Sequence, residues 1–172
     1  MSKNIIRCVI AITFFLAIVF PVRSLRSQSD QDHARKLEIN CVNNLKMIGF
    51  SLRIWEGDHG DRFPWDVSTN EGGARELIGV DKDGFVTNSW RLFQVVSNEL
   101  NSPIVLVCPG DSKRPAADFD HLTASNVTYR LHIVPDITPT KALSSKVPLV
   151  VCPVDGSTAC YNGDVEAKKP QK

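Results

Sequence analysis

Five apolar residues between Cys41 and Trp55 recur at alternating spacings of four and three: Cys41, Leu45, Ile48, Leu52 and Trp55. That period draws one apolar stripe down a single face of an α-helix. Asn43, Lys46, Arg53 and Glu56 keep largely to the other faces, and Ala34 and Leu37 carry the stripe backward. A helix of this kind must cover its apolar face, so the chain is predicted to be a long one-sided helix that roofs a compact domain.

The segment before the helix sets the compartment. Lys3 and Arg7 form a positive start, Cys8 to Val22 is apolar apart from Thr13, and Arg23 and Arg26 follow. This is the pattern of a signal-peptide core, short for a full membrane span. Residues 1–26 are therefore expected to be a signal peptide or membrane anchor, with Val22 and Ser24 fitting cleavage after Ser24. The domain would face the periplasm from the cytoplasmic membrane, or be secreted or periplasmic after cleavage. A net charge of +1 gives no broad attraction to nucleic acid. The basic tail from residue 167 to 172 is expected to be disordered.

Ser29 or Asp30 is placed to cap the helix, predicted over about residues 30–56, with Gly57, Gly60 and Pro64 ending it. A sheet domain is expected over about 74–166, within an α+β domain of 27–166. Ala74 to Ile78 reads as a short helical turn. Val80 to Phe85 has hairpin chemistry around Asp83-Gly84. Asn88 or Ser89 would cap a second helix through Leu100, with Leu92, Phe93, Val96 and Leu100 inward. Ile104 to Cys108 reads as a buried strand. Asn126 to Val134 alternates apolar and polar residues, the mark of a half-buried antiparallel strand. Leu149 to Cys152 reads as another, with Ala159 to Glu166 paired to it. Pro103-Ile-Val-Leu-Val-Cys-Pro-Gly-Asp is echoed by Pro148-Leu-Val-Val-Cys-Pro-Val-Asp, as two strands ending in similar turns.

Cys8 is apolar filler within the exported segment. Cys41, Cys108, Cys152 and Cys160 are disulfide candidates in an oxidising compartment. Cys152 and Cys160 could close a short loop, leaving Cys41 and Cys108 to tie helix to sheet, but four cysteines allow three pairings.

Catalytic patterns are missing. There is no His-Glu-x-x-His, Cys-x-x-Cys or Gly-x-Ser-x-Gly, and the four histidines are scattered. Cys108 with His132 is the one nucleophile pair to consider, and Cys108 at the end of a buried strand reads as structural. Glu56, Asp58, His59 and Asp61 crowd one loop, which makes Asp58 and Asp61 calcium candidates, although the spacing matches no defined calcium loop. Trp55, Trp65 and Trp90 read as core. No cofactor is expected beyond that possible calcium, and no enzyme activity.

Five blocks carry a resemblance: Cys41-Val-Asn-Asn-Leu-Lys-Met-Ile-Gly49, the segment Trp55 to Pro64 ending Gly-Asp-Arg-Phe-Pro, Ser68-Thr-Asn-Glu-Gly-Gly73, Leu106-Val-Cys-Pro-Gly-Asp111 and Asn126-Val-Thr-Tyr-Arg-Leu131. In that order they resemble bacterial prepilin-like proteins related to type IV pilins and type II secretion pseudopilins, over roughly residues 37–135. The resemblance implies an N-terminal helix whose first half crosses the membrane and whose second half lies on a small antiparallel sheet. It implies other pilin-like or secretion-machinery subunits as partners, with the membrane met through the N-terminal segment. The chain departs from the family in lacking its Gly-Phe-Thr-Leu-Ile-Glu type processing sequence: no Gly precedes Gly49 and no Glu precedes Glu38. The expected role is structural or adaptor-like. Alternatives are a secreted or periplasmic binding module derived from the same domain, and a thiol-dependent enzyme resting on Cys108.

Overall fold

The five stripe residues are buried together, none more than 2% exposed. They enter one core with Phe63, Trp65, Leu92, Phe93, Tyr129, Leu149, Val150, Ala159 and Tyr161. In this computed structural model, residues 3–134, 141, 144 and 146–167 are described, with side chains from Gln28 onward. The apolar segment expected to be a signal or anchor thus lies outside the residues whose side chains are described, as do residues 168–172 of the tail and most of the connection from Pro135 to Lys146. The chain divides into two compact units, Met1–Leu37 and Glu38–Lys172. Among the described residues, no helix is long and apolar enough to cross a membrane.

Helix α1 is assigned over Lys3–Asp58. It does not begin at Ser29 or Asp30, where a cap was expected. Helical backbone continues across both residues, so neither side chain meets the unpaired first-turn N–H groups that a cap satisfies. The far end behaves as expected. The N–H groups of His59 and Asp61 both donate to the Glu56 carbonyl, at 3.1 Å each, while Gly60 and Asp61 take left-handed backbone at φ 68° and 57°.

Helix α2 covers Ser89–Val95 and α3 covers Ser97–Leu100. The predicted single helix is divided at Val96, yet all four predicted inward residues are buried. Ala74 to Ile78 makes a turn rather than a helix, closed by the Leu77 N–H on the Ala74 carbonyl at 2.9 Å.

The sheet has four strands, β1 (Arg130–Leu131), β2 (Pro148–Val151), β3 (Thr158–Cys160) and β4 (Val165–Glu166), in the order β1-β2-β3-β4. Every neighbouring pair is antiparallel. The hairpin at Val80–Val86 extends it by an isolated bridge from Phe85 to His132. Its turn is built as the sequence predicts, with Gly84 at φ 83° and the Asp81 carboxylate accepting from the N–H groups of Asp83 and Phe85.

Two expected strands are corrected. Residues Pro103–Leu106 form a 3-10 helix, because Pro103 presets the first turn, the Ser102 hydroxyl accepts from the Ile104 N–H, and Val107 N–H donates to the Ile104 carbonyl. The strand from Asn126 to Val134 shrinks to Arg130–Leu131. Arg130 lies opposite Val151, so continuing that register would set Thr128 against Pro153, which has no N–H to give. Thr128 turns its own N–H to the Leu106 carbonyl at 2.9 Å instead.

Polar groups lock helix to sheet. Arg53 pairs with buried Glu56 at 2.6 Å, donates to the Tyr161 carbonyl, and lies over the Phe63 ring at 5.4 Å. The buried Tyr161 hydroxyl donates to the His132 carbonyl at 3.0 Å and accepts from Val134 N–H at 3.3 Å. Gly49 brings the helix against β3: a Cβ placed there would lie 3.8 Å from that of Ala159.

Leu45→Ala or Leu52→Ala should each lower unfolding free energy by about 2–5 kcal/mol, whereas exposed Lys46→Ala should change it by less than about 0.5. Denaturant titration checks this, and near-zero loss at the leucines would mean the stripe is not load-carrying core.

Candidate functional site

The most concentrated reactive chemistry lies at the start of that stripe. The Sγ atoms of Cys41, Cys108 and Cys152 and a carboxylate oxygen of Asp155 all lie within 4.8 Å of one another. All three cysteines are buried and Asp155 is half-buried. They come from three places in the fold. Cys41 is the first residue of the stripe on α1. Cys108 follows the Pro103–Leu106 turn. Cys152 directly follows β2, and Asp155 sits in the turn beyond it.

The repeated Cys-Pro-x-Asp sequence explains the aim of two sulfurs. At Cys108, the chain reverses through a bond from Asp111 N–H to the Cys108 carbonyl at 2.9 Å. Thr128 braces this turn, accepting from Cys108 N–H at 3.2 Å and donating to Asp111 at 2.7 Å. At Cys152, Gly156 N–H donates to the Cys152 carbonyl at 2.9 Å, and Asp155 accepts from Ser157 N–H at 2.8 Å. The Tyr129 hydroxyl donates to Cys41 Sγ at 3.5 Å, and Asn44 fastens the helix to the first turn through the Val107 carbonyl at 3.1 Å.

The sulfurs titrate as a group. Cys41 donates toward Cys152, which with burial pushes the Cys41 thiol far up. The same bond, helped by backbone N–H groups, brings Cys152 down to about 7. Burial pushes Cys108 up. Burial opposes ionisation of Asp155, but hydrogen bonding, including that from Ser157 N–H, outweighs it and holds the carboxyl below its ordinary value. Burial, then the nearby Cys41, raise the Tyr129 phenol. Among the three sulfurs, this hydrogen bonding favours the thiolate on Cys152.

The structure brings together three of the four disulfide candidates and separates the fourth. All four are free thiols. Cys160 lies opposite Pro148 in the β2–β3 ladder, while the Cys152 N–H faces Ser157, so the short Cys152–Cys160 loop is not the pairing that this register favours. The helix-to-turn pair Cys41 and Cys108 is brought together, with Cys152 as a third sulfur. His132 is not joined to Cys108 by any hydrogen bond among the described residues; its ring lies against Phe85 and its Nδ1 is 3.1 Å from the Pro148 carbonyl.

Of the calcium candidates, Asp58 ends α1 and Asp61 lies in the turn beyond it. Asp58 and Asp61 are exposed, and neither belongs to a group of three metal-capable side chains among the described residues. Their neighbours are engaged elsewhere: Glu56 with Arg53, and His59 stacked on Trp55 with centroids 3.6 Å apart. Trp55 and Trp65 are buried, and Trp90 packs half-buried on the core. The cluster itself escaped motif reading because its ligands come from distant parts of the chain. The repeated Cys-Pro-x-Asp was its one local signal.

A second feature is the outer face of α1. Ile39, Met47, Phe50 and Ile54 are exposed, Phe50 by 67%. At 3.6 residues per turn they form their own stripe, roughly 150° around the helix from the buried one. Met47 and Phe50 also border a groove of about 380 Å³ between α1 and the β3–β4 side of the sheet, with Gly163 and Val165 on its far wall.

Comparison with protein-family models, with known proteins and with solved structures returns no match for this chain.

In reduced, chelator-treated protein, thiolate absorbance should appear as pH rises through about 7, and Cys152→Ala should remove that phase while Cys160→Ala leaves it. The protonated form prevails below that midpoint and the thiolate above it. A first phase that survives Cys152→Ala would refute the assignment.

Proposed function

We propose that this chain is a non-enzymatic, pilin-like structural or adaptor protein of a secretion or pilus-type assembly. The observation that carries this reading is the two-faced helix. One stripe of α1 is buried in its own domain, and a second, from Met47 to Ile54, is left apolar in water. An exposed apolar stripe on a rigid helix is a surface for another helix or subunit. The small antiparallel sheet behind it is consistent with the resemblance of Cys41–Gly49 and Leu106–Asp111 to prepilin-like proteins.

In this reading each part has a distinct task. The apolar segment Cys8 to Val22 directs the chain to the membrane and holds it there or is removed. The buried stripe fixes the helix rigidly to the sheet domain, so that force or position at the helix is passed to the exposed loops. Met47, Phe50 and Ile54 meet the partner subunit. Lys46, exposed beside that stripe, adds a polar contact at its border.

Phe50→Glu tests it. The side chain is mostly exposed, so the monomer should keep its stability within about 0.5 kcal/mol. Recovery of neighbouring subunits after chemical crosslinking in membranes should fall at least tenfold. Intact protein found in the cytosol, or crosslinking unchanged by the substitution, would defeat the proposal. Protein released in soluble form with its N-terminus just after Ser24, and crosslinking to nothing, would support the binding-module reading instead.

A further inference from the structure

We propose that Cys41, Cys108, Cys152 and Asp155 form a structural zinc site. The inference is independent of the assembly role; it rests on the side chains that the fold collects at one point.

Four features of the cluster point to a metal. The first is number and type. Three sulfurs and one carboxylate oxygen make a four-ligand set, and zinc sites that serve structure are closed, tetrahedral and rich in thiolate. Calcium and magnesium take oxygen ligands and are poorly served by three sulfurs. The second is distance. Ligands at about 2.3 Å from a tetrahedral ion stand roughly 3.8 Å apart. The four ligand atoms here lie within 4.8 Å of one another, so they reach that geometry by small side-chain adjustments rather than backbone movement.

The third is the surroundings of the sulfurs. Three thiolates and a carboxylate leave a doubly charged cation with a surplus of negative charge, which must be offset when buried. The fold places a donor for that purpose. The Tyr129 hydroxyl donates to Cys41 Sγ at 3.5 Å. The fourth is support. Thr128 and Asp111 brace the Cys108 turn, and Ser157 N–H holds Asp155 while leaving its other carboxylate oxygen for a ligand. Both turns lie at the surface, with Pro109, Gly110, Pro153 and Val154 exposed, which gives an ion a short path in.

A disulfide accounts for less of this arrangement. It would join two sulfurs and leave the third buried beside a carboxylate. Zinc uses all four groups. On binding, the ion displaces the thiol protons to solvent, up to one from each cysteine, and no electron is transferred. The product is a staple that joins α1 to both Cys-Pro turns, and through Cys152 to β2.

The test uses the full chain, reduced and purified in detergent, loaded with zinc and dialysed against metal-free buffer. One zinc per chain is expected, with proton release on loading and a higher melting temperature that chelator reverses. Cys152→Ser should weaken zinc at least about 100-fold, and Tyr129→Phe about tenfold, while Cys160→Ser should not change it. Should a cysteine variant fail to fold, cobalt loaded into the unaltered chain still decides the matter. Tetrahedral d–d bands with sulfur-to-cobalt charge transfer support the site. An octahedral cobalt spectrum, no retained zinc in the reduced chain, or equal zinc in Cys160→Ser and Cys152→Ser with both folded, would overturn it. So would a Cys41–Cys108 disulfide in protein isolated from cells, if reduction then yields no zinc binding.

Discussion

Burial of one face of α1 against β2, β3 and the loops beneath it is the constraint on which the domain depends. The sheet is slight: two of its strands are two residues long. Strands so short cannot hold a layer together by ladder hydrogen bonds alone. The apolar stripe supplies what they lack, since each fully buried Leu or Ile contributes roughly 1.5–3 kcal/mol on transfer from water. Arg53 then sets direction and register, because its guanidinium must reach Glu56, the Tyr161 carbonyl and the Phe63 ring at once.

The same packing generates the cysteine cluster. Once Leu45 and Ile48 are seated, Cys41 is carried one turn up the same face and into the gap between two Cys-Pro-x-Asp turns. Those turns are alike because they solve the same problem. Each ends an apolar run at the edge of the core, where proline stops pairing and aspartate takes up the freed N–H groups. Asp111 is drawn to Thr128 and away from the sulfurs, whereas Asp155 stays with them. A small difference in neighbours thus makes one turn a support and the other a source of ligands.

Several elements were legible along the chain. The stripe, the four inward residues from Leu92 to Leu100 and the Asp81–Gly84 hairpin follow from period and turn chemistry; of the Ala159–Glu166 segment expected beside β2, only its start pairs there, and Val165–Glu166 folds back onto β3 instead. The strand expected at Ile104–Cys108 did not, because a short apolar run is equally content as a buried 3-10 turn when a proline opens it. The long strand at Asn126–Val134 failed for another reason: alternation describes which way side chains point, not whether a partner strand exists to pair with Val127 and Thr128. The helix start near Asp30 failed because capping residues mark an end only where the helix has cause to stop.

Read without its fold, the chain determined a long one-sided helix, its inward face, a polar turn at each Asp-Gly or Cys-Pro-x-Asp, and an α+β class. These are properties of neighbours a few bonds apart, carried by backbone stereochemistry and side-chain period. Tertiary structure alone decided that Cys41, Cys108, Cys152 and Asp155 meet, that Cys160 does not join them, and that Met47, Phe50 and Ile54 remain in water. Those outcomes depend on how far the helix lies along the sheet and at what rotation. That placement is set by the fit of many side chains at once, which no local spacing records.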